Sequence, residues 1–264
     1  MNTFQFIIIV LVAFFGLSVG SFLNVVVLRF DDIESIIKTR SRCPHCKKNL
    51  PWYDLVPFFS YIILAGRCRV CKKTISIQYP IVEAVTALIF VLIYWQYGLS
   101  IEGTLLAIIS SLLIVVATYD WLHLEIPDIL IYSAAIFASG LIVYSLWQIQ
   151  SLPDLNSWLT YIYGLLIGVG FFGFLVVVSK QKWMGVGDVL LAGLMGLILG
   201  YPNIIVALFL AFLLGSLFSL VLMATKKKTL KDAVPFGPFL VLATFIALFW
   251  GNNLLNIYLL RFGL

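Results

Sequence analysis

Two groups of residues in this 264-residue chain have types and spacing that could do chemistry. The first is four cysteines, in "CPHC" (43–46) and "CRVC" (68–71). Each C-x2-C pair can form a knuckle, so Cys43, Cys46, Cys68 and Cys71 together can supply the four-thiolate tetrahedral shell of a structural zinc ion. Such a metal folds a loop too small to build its own core. His45 lies inside the first pair, but four thiolates already complete the shell and leave it a bystander.

The second group is acidic. Asp120, in "TYDWLHLEIPD", and Asp188, in "KWMGVGDVLLAGLMG", stand at the ends of apolar runs, where ionisable groups are costly and mark functional candidates. Taken singly, each has a plain structural explanation: Asp188 can cap a helix, as Asp128 behind Pro127 can, and Asp120 can mark an interface. Taken together, two carboxylates at matching depth on different helices suggest a dyad. Two such groups brought close cannot both ionise. The ionised one can draw a proton from water while its neutral partner polarises a carbonyl, which is general acid–base hydrolysis of an amide. Gly185 and Gly187 would let the backbone approach a substrate or turn sharply before the helix.

The elements that position these groups follow from composition. The chain is 62% hydrophobic and 11% charged, with mean hydropathy +1.08. Soluble domains are about a quarter charged, so an ordinary globular protein is excluded. The expected fold is an all-α polytopic membrane protein of about eight transmembrane helices, near 4–28, 80–97, 103–119, 129–148, 158–178, 188–200, 203–223 and 234–259. No alternating strands point to a barrel. The first apolar stretch lacks the positive start of a signal peptide and reads as a retained helix. Turns are expected at "YGLS" (97–100), "QSLPDLNS" (150–157) and "GYPN" (200–203). Three regions follow: a first transmembrane helix (1–29), a zinc-binding loop (30–79) and a membrane-embedded bundle (80–264).

Charge gives the orientation. All Lys and Arg residues except Arg261 fall in loops on one side of this threading. Cytoplasmic loops collect such residues, so the zinc loop is placed in the cytoplasm and both termini outside. Thiols stay reduced there, which favours metal over disulfides. The "KKKTLK" run (226–231) reads as a topogenic, lipid-facing stretch, with no nucleic-acid partner implied. "GVGFFG" (168–173) lies inside an apolar helix without the strand that a nucleotide site needs, so close helix packing is the better reading. Gly16/Gly20 and Gly196/Gly200 have the spacing of helix contacts.

Over most of its length the chain resembles the type IV prepilin peptidases, polytopic G-x-G-D aspartic proteases. "GSFLNVVVLR" (20–29) resembles their opening signature. "CPHCKKNLPWYDLVPFFSY" and "GRCRVCKKTISIQYPIVE" resemble their zinc loop and the entry to the second span. "DWLHLEIPD" and "GVGD" resemble the two active-site segments, and "PFGPFL" (235–240) a late motif. The resemblance implies that Asp120 and Asp188 are the catalytic pair, with Gly185, Gly187, Pro127 and Asp128 in support. It implies removal of a short basic leader from pilin-like precursors at the cytoplasmic face of the inner membrane. It also implies methylation of the new N-terminus with S-adenosylmethionine, although no motif identifies residues to hold that cofactor. Glu125 or Glu83 would help receive the leader's charge. Leu190 departs from the lysine common after "GVGDV" in the family, which bears on substrate contact and leaves the dyad untouched.

Two other classes fit parts of the pattern. A transporter using intramembrane carboxylates would show inverted repeats and midplane acids; the sequence has no such repeat, and its acids lie at the interface. A zinc-loop scaffold without catalysis would tolerate asparagine at both Asp120 and Asp188.

Overall fold

A computed structural model describes residues 3–148, 155–225 and 233–262. The "KKKTLK" run and most of "QSLPDLNS" lie outside the described residues. Ten α-helices and one 3-10 turn make up the described residues, with no β-strand: α1 (Thr3–Leu28), α2 (Ile33–Lys38), the 3-10 turn (Trp52–Leu55), α3 (Phe59–Ile63), α4 (Gln78–Tyr97), α5 (Ile101–His123), α6 (Asp128–Gln148), α7 (Leu155–Ser179), α8 (Val186–Leu199), α9 (Asn203–Ala224) and α10 (Gly237–Phe262). Among these, α1, α4, α5, α6, α7, α9 and α10 are long and apolar enough to cross a membrane. The chain is an all-helical, multi-pass membrane protein. It divides into two compact units, residues 1–115 and 116–264, with the boundary inside α5.

In the first unit, α1 packs along α4. Gly16, Leu17, Gly20, Leu23, Asn24 and Val27 recur at helical spacing to form the buried stripe of α1. The small residues set the separation: a Cβ on Gly16 would stand 2.7 Å from the Ala87 Cα, and one on Gly20 the same distance from the Glu83 Cα. Close backbone approach of this kind drives helix pairing where lipid removes the hydrophobic advantage. Asn24, fully buried, spans the pair by donating to the Gly20 and Tyr79 carbonyls, each at 3.2 Å. Phe4, Phe6, Val10, Phe14, Phe22 and other large apolar side chains of α1 are exposed, as a lipid-facing surface requires. At the end of α4, Gly98 takes a left-handed conformation (φ 62°), which makes the "YGLS" turn.

The second unit is built around α8. This helix has only 14 residues, about 21 Å at 1.5 Å per residue, too short for a hydrocarbon core of about 30 Å. The sixth expected span, 188–200, is therefore a short, enclosed helix. It packs against α6, α7, α9 and α10, and Leu191 to Gly196 are buried without interruption. A helix hydrophobic all round belongs in a core. Its closest neighbour is α7, where backbone meets backbone: a Cβ on Gly196 would run into the Gly164 carbonyl, and one on Gly168 into that of Ala192. Close packing thus accounts for Gly168 of "GVGFFG", whereas Gly170 and Gly173 face open space. Gly200 ends α8 with φ 65°.

These contacts separate glycines that carry packing from those that do not. Gly196→Ala should lower stability by about 1–3 kcal/mol through overpacking. Gly170→Ala should stay within about 1 kcal/mol of the parent or gain slightly in helix propensity. Thermal unfolding of both variants in one membrane mimetic checks this pair.

Candidate active site

Asp120 sits in the last turn of α5, which stops at Leu124, a residue in the left-handed conformation (φ 58°) whose N–H still bonds the Asp120 carbonyl at 2.8 Å. The side chain turns inward and is 5% exposed. Its Oδ2 accepts the Gly237 N–H at 2.9 Å. Gly237 is the first residue of α10, so this N–H is one of the donors that a helix leaves unsatisfied at its start. The helix dipole adds a favourable field for a carboxylate there. Glycine permits this approach: a Cβ at this position would lie 2.7 Å from the same Oδ2 and displace it. Within "PFGPFL" nothing in the residue types alone gives Gly237 a role. The signal available was a Gly-Pro step at the start of an apolar helix.

Asp188 lies in the first turn of α8 and is half-buried. Its Oδ2 accepts the N–H of Gly185, the residue that caps the helix, at 3.0 Å. This is the reach-back half of a capping box, so Asp188 does cap its helix, from inside the first turn. The same carboxylate also faces a pocket. Gly187 draws the start of α8 against the strap after α5, with a would-be Cβ 2.9 Å from the Cβ of Ile126.

A pocket of about 480 Å³ in the second unit brings the two aspartates together. Gly185 and Gly187 line it as expected, and so do Glu125, Gln181, Lys182 and Trp183. Pro127 and Asp128 do not line it; Asp128 is exposed at the start of α6. Three carboxylates and one lysine give the pocket an acidic character. Among the described residues neither Asp120 nor Asp188 forms an ion pair. Each is oriented by a backbone amide, an arrangement that holds a carboxylate in place without neutralising it. Glu83 lies elsewhere, in α4 of the first unit, buried and accepting the Phe58 N–H at 2.7 Å.

The four cysteines cluster in the first unit, as free thiols with all sulfurs within 4.8 Å of one another, and could hold a metal ion. They stand on two copies of one hairpin. The Cys43 N–H donates to the Lys48 carbonyl and Lys47 returns a bond to the Cys43 carbonyl; Cys68, Lys73 and Lys72 repeat the pattern. Arg42 bridges Asn49 as Arg67 bridges Thr74. Lys47 and Lys72 both have positive φ, at 56° and 60°. The repeat is readable as "RCPHCKK" and "RCRVCKK", a similarity the spacing argument had passed over. Backbone N–H groups of Cys71 and Val70 aimed at the Cys68 sulfur lower that thiol to about 6. Cys71 receives the Lys73 N–H, but burial and the three neighbouring sulfurs outweigh it and push the thiol up to about 11. A cation at the centre would draw all four toward thiolate. The second hairpin is pinned to the 3-10 turn by Arg69, which grips the buried Asp54 carboxylate from Nε at 3.1 Å and Nη2 at 2.7 Å, with its Cζ 5.3 Å from the Tyr53 ring centroid.

Comparison with known proteins gives a consistent result. Residues 14–97 match the bacterial peptidase A24 N-terminal domain, and residues 107–220 match the type IV leader peptidase family. A protein of Bacillus subtilis described as prepilin leader peptidase/N-methyltransferase is 31% identical over 248 residues, covering 93% of this chain and 95% of that protein. Proteins of the same description from Pseudomonas putida (31% over 280 residues; 96% and 95%) and Pseudomonas aeruginosa (27% over 267 residues; 92% and 91%) align similarly. No solved structure matches.

The cysteine loop yields one direct expectation. Arg69→Ala should leave the Asp54 carboxylate buried without its partner and destabilise the loop by about 1–3 kcal/mol. Arg69→Lys should recover only part of this, because an ammonium lacks the fork that meets both oxygens. Faster hydrogen exchange of the amides between residues 52 and 75 would report the loss.

Proposed function

The chain belongs to the type IV leader peptidase family, and from that premise we propose that it is an aspartic endopeptidase that removes the basic leader of type IV prepilin-like precursors at the cytoplasmic face of the membrane. One observation carries the catalytic assignment: Asp120 and Asp188, from different helices, line one pocket. One carboxylate acts as base, taking a proton from water as the water oxygen attacks the scissile carbonyl carbon. The other, in its acid form, donates to the carbonyl oxygen. As the tetrahedral species collapses and the C–N bond breaks, the departing nitrogen takes the proton that the base had drawn from water and leaves as an amine, while the other carboxylate recovers its proton from the carbonyl oxygen. Gly237 positions Asp120, and Gly185 positions Asp188. Glu125, on the wall of the same pocket, suits the leader's positive charge better than Glu83, whose carboxylate is already engaged by Phe58.

The donor chemistry of the cysteine cluster suits zinc. A tetrahedron with Zn–S bonds of about 2.3 Å has an S···S edge of about 3.8 Å, and the Cys43 and Cys71 sulfurs lie 3.8 Å apart. Cys43, Cys46, Cys68 and Cys71 would hold the ion, whose role is to fold the loop. The Lys and Arg distribution supports a cytoplasmic loop; the seven long helices alone would leave the termini on opposite sides, so both termini lie outside only if the short α8 carries the chain from the pocket to the other end of the unit, where Gly200 meets Thr160 of α7. The N-methyltransferase activity in the relatives' description extends to this chain as a second proposal, in which S-adenosylmethionine supplies the methyl group for the new N-terminal amine. No residue is assigned to hold it.

Purified protein in lipid should cleave a precursor bearing a basic leader. Asp120→Asn and Asp188→Asn should each reduce cleavage by at least about 10³-fold, as loss of one member of a catalytic unit does. Cleavage retained by either variant removes the dyad. A Cys43→Ser/Cys71→Ser variant should lose bound zinc by elemental analysis, and undiminished metal refutes that site. Transfer of labelled methyl to the cleaved product tests the second activity separately.

A further inference from the structure

The loop of the first unit exposes a large apolar surface that the peptidase reading does not use. In the 3-10 turn, Trp52 is 79% exposed, with Tyr53 and Leu55 beside it. In α3, Ile63 is 78% exposed, with Phe59 and Ile62 also open. The turn and α3 lie against each other, and the Arg69–Asp54 clasp brings the second cysteine hairpin, with its exposed Val70, to the same segment. Isolated exposed apolar residues are ordinary, but a cluster of this size marks an interaction surface.

Three observations identify what covers it. The first is depth. The Phe58 N–H is held by Glu83, which lies five residues into α4, about 7.5 Å along the helix from its start. The aromatic segment is thereby drawn back beside the membrane span, when it could have extended into water. The second is continuity. The outward face of α4 carries Ile77, Ile81, Val85 and Leu88, all exposed, so the apolar surface runs on into residues that face lipid. The third is composition. Trp and Tyr mix with aliphatic residues, and exposed Lys47, Lys48, Lys72 and Lys73 stand on the adjoining hairpins. Aromatic side chains beside lysines are the pattern of a surface that settles at the headgroup boundary of an anionic membrane.

We propose that residues 52–63 form a membrane-docking element, seating the cysteine loop on the anionic headgroup interface of the bilayer that α1 and α4 cross. Glu83 is its latch, a positioning residue that fixes the element's depth through the Phe58 amide. This inference rests on the spans and the loop alone and is independent of the catalytic assignment.

The test uses the full-length protein in nanodiscs containing anionic lipid, with the Trp52 contribution taken as the fluorescence difference between the parent and Trp52→Phe. Brominated acyl chains should remove most of that contribution, and aqueous iodide should leave most of it. Quenching by iodide and not by brominated lipid would overturn the proposal. Protection from both would mean that protein covers the surface, and would overturn it equally. Ile63→Asp, a change at an exposed position, should shift Trp52 from lipid quenching toward iodide quenching; an unchanged pattern also counts against docking.

Discussion

The hydrogen bond from Gly237 to Asp120 is the constraint on which the second unit turns. It joins the last turn of α5 to the first residue of α10 across more than a hundred residues of chain, and it does so out of contact with solvent. A carboxylate in such a place needs a partner. A lysine or arginine would neutralise it, and a side-chain donor would add bulk. The unsatisfied amide at a helix start orients the group, favours its negative charge and occupies almost no space. Glycine at 237 is what lets the amide approach, so the choice of that residue belongs with the choice of the aspartate.

The same device recurs. Asp188 is held by the Gly185 amide at the head of α8, and Glu83 holds the Phe58 amide beside α4. In each case a buried or half-buried acid is matched to a backbone donor with no cation involved. For Asp120 and Asp188 the consequence is chemical, because a carboxylate that is positioned and not ion-paired keeps its capacity to exchange a proton. For Glu83 the consequence is mechanical, since the acid fixes where the loop's aromatic segment lies. The short α8 belongs to this logic: enclosed by α6, α7, α9 and α10, it carries Asp188 to the pocket at its first turn.

Much of this was legible in the sequence, for identifiable reasons. Long apolar runs with charges confined to loops leave little choice but membrane helices, and all eight expected segments are helical. Two C-x2-C pairs single out the four cysteines whose sulfurs the structure brings within 4.8 Å of one another. Asp120 and Asp188 stood out because acids are costly where they lie. What was hidden depends on backbone. Gly237 has no side chain to announce a role, and its contribution is an amide that matters only once α10 starts beside Asp120. The capping role of Asp188 and its place in the pocket had been posed as rival readings, yet one oxygen takes the Gly185 amide while the carboxylate still faces the cavity. The resemblance groups Pro127 and Asp128 with the site, and the pocket lining stops one residue short of them, at Ile126. The shortness of α8 is legible in the span 188–200, but its enclosure is not, because an enclosed core helix and a lipid-facing span are equally apolar.

The central claim is that Asp120 and Asp188 act on one tetrahedral centre. The most direct measurement is the affinity of a precursor peptide whose scissile amide is replaced by a non-cleavable hydroxyl-bearing tetrahedral isostere, compared with the unmodified peptide. The account predicts that the parent protein binds the isostere at least about 100-fold more tightly, as transition-state mimics are bound, and that Asp120→Asn and Asp188→Asn each abolish the preference. Equal binding of the two peptides by the parent, or a preference that survives either substitution, would contradict it.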